Sequence, residues 1–163
     1  MHRLLLLLGT LVLSWSAVAG SAATHRVSVL DMQLAMKAAL RAVLVCNEAG
    51  HQVGVSVVDR FGLEQVTLRS NMGGAHVTDA ARRKAWTAAT FNLPTSEIDA
   101  LAQDEAREDL RTLSGVLALA GGLPIVSQSG ELLGGIGVAG GEGTENEAKC
   151  AEAGLDAIAE QLK

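Results

Sequence analysis

The spacing of apolar positions divides the chain into helices and strands. From Ser28 to about Ala49, small side chains recur at Ala35, Ala39, Ala42, Cys46 and Ala49, a helical spacing that puts them on one face. Ser28 is the cap candidate, Asp31 falls in the first turn, and Gly50 suits a left-handed stop. VGVSVVD (53–59) and LEQVTLR (63–69) then predict two strands, and Arg60-Phe61-Gly62 between them is short enough for an antiparallel hairpin. The Gly-rich stretch from Asn71 to Gly74 leads into an Ala-rich helix ending near Phe91. A further helix is predicted from Pro94-Thr95-Ser96-Glu97 through the polar run to Arg111.

Residues 116–141 read VLALAGGLPIVSQSGELLGGIGVAGG, three short apolar runs punctuated by Gly-Gly and Ser-Gly. This predicts a meander of three strands, with Pro124 at a strand start or on an edge. A last amphipathic helix is expected from about Thr144 to Leu162. Ala151, Leu155, Ile158 and Leu162 form its apolar face, and Cys150, Gly154 and Ala157 a small-residue face beside it. The order of elements predicts an α+β fold, a five-stranded antiparallel sheet flanked by helices.

Composition changes this picture at the N-terminus. MHRLLLLLGTLVLSWSAVAGSAA (1–23) has a basic start, an apolar stretch and small residues at its end, the signature of a cleaved secretory signal. The apolar stretch is short for a bilayer span. The expectation is therefore an exported protein, periplasmic or extracellular, with no stable membrane insertion after cleavage and with 24–163 as a single domain. Removing Arg3 from the 13 basic residues leaves 12 against 18 acidic ones. With that balance and so few aromatics, the chain has neither the charge nor the stacking surface for nucleic acid.

Cys46 and Cys150 remain in a chain expected to leave the reducing cytosol, which predicts a disulfide. Each lies on a small-residue helix face, Cys46 near the end of the first helix and Cys150 near the start of the last. Antiparallel packing of those helices brings the two sites together.

GIGVAG (135–140) matches the dinucleotide-loop pattern G-x-G-x-x-G. Such a loop must follow the first strand of a βαβ unit and precede a second strand. Here only one helix follows, so these glycines are expected to serve close packing instead. The sequence also lacks G-K-[ST], G-x-S-x-G and H-E-x-x-H runs.

RSNMGGAHVTDAARRKAWTAATFNLPTSEID (69–99), GGLPI (121–125) and ELLGGIGVAGG with NEAKCAEAGL (131–155) resemble the GlcG/HbpS-like haem-binding family. The resemblance covers nearly all of the chain after the leader. It implies a profilin-like architecture, assembly into homo-oligomers, and haem or a related tetrapyrrole as ligand. Three positions depart from the family pattern: Asn71 stands where Asp is common, Ala75 where Pro often precedes the His, and Val77 where Thr often follows it.

The resemblance makes His76 the candidate axial ligand, imidazole being the usual protein ligand of haem iron. His51 is a second candidate, with a surface turn position as its plainer explanation. Propionates call for cations, and Arg69, Arg83 and Lys84 lie close to His76 in sequence. Arg83 and Thr87 share its helix side, and Lys84 suits a partly buried role. Two acidic clusters, Glu142/Glu145/Glu147 and Asp104/Glu105/Glu108, are the rival cation sites, with solvated faces as the plainer explanation. The leading expectation is an exported, non-catalytic haem- or tetrapyrrole-binding oligomer. The alternatives are a haem-degrading or redox-protective enzyme and a scaffold without a small ligand.

Overall fold

The computed structural model describes residues 24–163, and the leader expected over 1–23 lies outside the described residues. The elements are α1 (Met32–Glu48), β1 (Gly54–Asp59), β2 (Glu64–Arg69), α2 (Val77–Phe91), α3 (Thr95–Leu101), β3 (Gly122–Val126), β4 (Leu132–Ala139) and α4 (Thr144–Asp156). Short 3-10 turns occupy Glu105–Thr112 and Ala159–Gln161. The strands form one antiparallel sheet in the order β2-β1-β4-β3. The β1–β2 hairpin closes as expected: the Asp59 carboxylate accepts from the amides of Phe61 and Leu63, each at 2.9 Å. Pro124 lies in the edge strand β3, where its missing N–H costs no ladder bond.

The sheet has four strands rather than five. Residues 116–120, expected to form the first strand of the meander, pair with no strand. Their backbone groups are claimed by side chains instead. Arg83 Nη2 donates to Val116 O at 2.7 Å, Leu117 N to Thr87 Oγ1 at 2.9 Å, and Thr95 Oγ1 to Leu119 O at 2.6 Å. Lys84 Nζ donates to Ala120 O at 2.7 Å. A β-like composition shows that a segment suits an extended, half-buried path, and helix side chains can satisfy that path as well as a neighbouring strand can.

Three helix boundaries also differ from expectation. Asp31, not Ser28, caps α1, accepting from Gln33 N at 2.8 Å. Ser28 is engaged elsewhere, its hydroxyl donating to Glu131 Oε2 at 2.6 Å. Hydrogen bonds from the Ser28 side chain and backbone, and then from Arg60, lower the Glu131 carboxyl from 4.5 to about 2. The helix after Pro94 stops at Leu101, and a 3-10 turn follows, because Asp104 turns extended and caps Ala106 N at 3.0 Å. The last helix ends at Asp156, and the buried Ile158 and Leu162 flank the 3-10 turn that follows.

Helices α1 and α4 cover one face of the sheet and α2 the other. Alternation along β1 and β4 supplies both layers. Val55, Val57, Ile136 and Val138 join the core beneath α1 and α4, while Val58 packs with Ala85 and Ala89 of α2. A smaller cluster of Ile98, Val116 and Ala118, against Trp86, fills the space between α2 and α3. On the first face, a Cβ at Gly154 would lie 2.8 Å from Ala38 O, so α1 and α4 approach backbone to backbone. Cys46 and Cys150 form a disulfide between these helices, with Cα atoms 5.7 Å apart and 104 residues of separation. Closing a loop of that length contributes about 4.7 kcal/mol in the chain-entropy model.

On the second face the GIGVAG glycines find their use. A Cβ at Gly135 would collide with Ala85 O, and one at Gly137 with Ala81 O. The helix backbone occupies the space where side chains would otherwise stand, and the stretch cradles no phosphate. Gly137→Ala is therefore expected to destabilise the fold by about 3 kcal/mol, the upper part of the usual overpacking range. Chemical denaturation checks this, and an unchanged midpoint would show that α2 yields without cost.

Candidate functional site

The sequence-predicted residues fall into three groups, set by how α2 lies on the sheet. The first group sits at the end of the sheet where β1 begins and β2 and β4 finish, since Gly54 pairs with both Arg69 and Ala139. Helix α2 starts at this same end, because a Cβ at Gly54 would lie 2.6 Å from Val77 O. His51, three residues before Gly54, Arg69, and His76, one residue before Val77, are thus gathered at one end.

The loop between β2 and α2 is pinned from within. Buried Ser70 donates through Oγ to Asn47 Oδ1 at 2.6 Å and accepts from Val53 N at 3.0 Å. Arg69 donates to Gly73 O, and Met72 N donates to Gln52 Oε1 at 3.2 Å. On this braced loop His76 is the N-cap residue of α2, and its side chain makes no capping bond. It is exposed, and its ring lies over Gly74, where a Cβ would come within 2.8 Å of Cε1. Met72, on the same loop, is 81% exposed. Half-buried His51 accepts through Nδ1 from Glu142 N at 3.5 Å, a long contact.

Met72 did not figure among the sequence candidates. The signal for it was local: a methionine inside Asn71-Met72-Gly73-Gly74 sits in a turn and has no core to fill. An imidazole and a thioether both ligate haem iron, so the donor set at this end of the sheet fits a haem. Arg69 is a cation at this same end of the sheet.

The second group is Lys84 and its partners, which are interior. Lys84 is 3% exposed, and its three N–H donors are all engaged: with Ala120 O, with Val138 O at 3.1 Å, and with Glu147 Oε2 at 2.5 Å. Glu147 Oε1 accepts from Gly140 N at 2.7 Å. One ion pair thus joins α2, β4, α4 and the 116–120 segment, and the ammonium has no donor left for a propionate.

The third group is Arg83 and Thr87, farther along α2. Thr87 is fully buried, donating to Arg83 O and accepting from Leu117 N. Half-buried Arg83 borders a cleft of about 310 Å³ lined by Asp99, Arg111 and residues 116–119. Two carboxylates of the Glu142/Glu145/Glu147 run are paired, Glu147 with Lys84 and Glu145 with Lys149. Among the described residues no group of three or more His, Cys, Asp or Glu side chains is placed to hold a metal ion.

A family model described as "Haem degrading protein HbpS-like" matches residues 30–156. The corrinoid adenosyltransferase PduO of Citrobacter freundii is 30% identical over 145 residues, 88% of this chain, which spans 43% of that protein's length. Among solved structures, a doubly substituted HbpS of Streptomyces reticuli is 35% identical with a TM-score of 0.79, the match covering 88% of this chain and 96% of that one. A PduOC:heme complex is 27% identical with a TM-score of 0.72, over 80% of this chain and 96% of that one.

The Lys84–Glu147 pair makes a direct prediction. Glu147→Gln leaves the buried ammonium without its counter-charge and should cost about 3–5 kcal/mol in denaturant unfolding. Lys84→Met combined with Glu147→Gln should recover part of that loss, and equal stability of single and double variants would contradict the pairing.

Proposed function

The chain belongs to the HbpS-like family, and on that premise we propose that it is an exported, oligomeric, non-catalytic binder of haem or a related tetrapyrrole. The observation that carries this reading is His76, an exposed imidazole without a capping bond, on a loop braced by Ser70, Arg69 and Gln52. His76 would hold the iron, with Met72 or His51 from the same end of the sheet as second donor. Arg69 would meet a propionate, and Arg83 is the other cation on the His76 side of α2. A bound haem would supply a redox-active, ligand-accepting iron. The protein's part is to present the imidazole on a fixed backbone and to exchange water for apolar and cationic contacts around the macrocycle.

Hemin titration tests this. His76→Ala should shift the Soret band and weaken binding at least tenfold, in line with loss of an axial ligand; an unchanged spectrum and affinity would remove His76 as ligand. The same loaded protein separates carriage from the degradation named in the family description. With ascorbate and catalase present the Soret band should persist, and its bleaching would overturn the non-catalytic reading.

Assembly is supported by the outer face of α1. Met32, Met36, Leu40 and Leu44 are 41–56% exposed at four-residue spacing. Two such helices laid antiparallel set Met32 opposite Leu44 and Met36 opposite Leu40, a self-complementary apolar contact between two copies. Export is supported by the Cys46–Cys150 disulfide, which belongs to an oxidising compartment. Native mass spectrometry of protein recovered outside the cytoplasm addresses both. Assemblies of chains lacking about the first 23 residues are expected from the small-residue cleavage pattern, and a single chain, or one retaining its leader, would refute the corresponding reading.

A further inference from the structure

The cleft beside Arg83 has the chemistry of a small-anion site in its own right. One wall is residues 116–119, with Val116 and Ala118 buried, Leu117 half-buried and Leu119 46% exposed. This wall is pre-formed, because Arg83, Thr87 and Thr95 hold its backbone through the bonds to Val116 O, Leu117 N and Leu119 O. Facing it are Arg83 of α2, Asp99 of α3 and Arg111 of the 3-10 turn. Arg111 donates to Asp99 Oδ1 at 2.7 Å.

Two guanidiniums against one carboxylate leave the cleft with a single positive charge, on a chain whose net charge is −5. A local excess of this sign concentrates anions where the protein as a whole repels them. Arg83 has Nη2 on Val116 O, and the rest of its N–H fork suits a carboxylate. Asp99 opposes a dianion. The aliphatic wall suits an apolar body rather than a phosphate or sulfate. The volume, about 310 Å³, is at the small end for ligand sites.

We infer that this cleft binds a small monocarboxylic acid with a short aliphatic body, its carboxylate between Arg83 and Arg111 and its chain against Val116–Leu119. The same chemistry describes one propionate arm of a tetrapyrrole held at the His76 end. The free acid is the ligand assigned here, and this does not rest on the haem reading.

Calorimetric titration of the haem-free protein with isovalerate tests it, with isoamyl alcohol as the uncharged control. Saturable binding of the acid and none of the alcohol is expected. Arg111→Gln should weaken it about tenfold or more, the effect of losing a charge-assisted hydrogen bond. Asp99→Asn should strengthen it severalfold by releasing Arg111, and a wall that merely packs would not respond in that direction. Both substitutions fall on an exposed ion pair of little weight for stability, and thermal melting confirms the fold. His76→Ala should leave isovalerate binding unchanged. Absence of saturable binding, equal binding of acid and alcohol, or indifference to Arg111 and Asp99 would overturn the proposal. So would an Arg111 effect confined to hemin, which would assign the cleft to the propionate arm.

Discussion

Helix α2 rests on β4 with its backbone against Gly135 and Gly137, and most of the molecule's arrangement follows from that closeness. A side chain at either glycine would lift the helix by the width of a methyl group or more. At the distance actually reached, Lys84 can pass beside the sheet to Glu147 and Val138, and Arg83 and Thr87 can reach the backbone of 116–117. The same approach fixes where α2 begins, and hence where His76 stands relative to His51, Arg69 and Met72. Interiors at crystal-like density transmit such constraints, because little free volume remains to absorb a shift.

A division of labour follows along one helix. Its N-cap residue, His76, is exposed, its middle is consumed by a buried ion pair, and Arg83 and Thr87 hold a neighbouring segment in place. Lys84 illustrates the cost of that arrangement. A buried ammonium is tolerated only when its donors and its charge are met, so the three acceptors around it are a structural requirement and take up every N–H it has. Arg83, one residue earlier, points toward the cleft and keeps part of its fork available there. Adjacent cations in sequence thus have unrelated roles, since successive helix residues point about 100° apart.

Much of the fold was legible in the chain itself. Spacing marked α1, the hairpin, α2 and the start of α4, because each contains its own stop signals: Gly50, Arg60-Phe61-Gly62, the glycines of 73–74 and the polar Glu142–Thr144. The disulfide was legible because two helices with small faces have few ways to pack. The reading of 116–120 as a strand missed, since nothing in VLALA tells a strand partner from a set of helix side chains. The helix expected through 111 missed because Asp104 competes locally for the backbone. Of the candidate site, His76 and Arg69 were singled out through the family-like loop, while Met72 was not singled out.

By itself, then, the sequence determined the local elements, the pairing of the two cysteines, and the family-like loop that presents His76. Those depend on periodicity, turn chemistry and residue type, which are properties of neighbours in the chain. Only the tertiary structure decided that Lys84 is interior and that Arg83 and Arg111 share a cleft. It also decided that the GIGVAG glycines face a helix and that 116–120 lies outside the sheet. Each of these depends on which groups from distant segments arrive within hydrogen-bond or van der Waals reach. That is set by how closely α2 can approach the sheet, and one-dimensional spacing does not record such a distance.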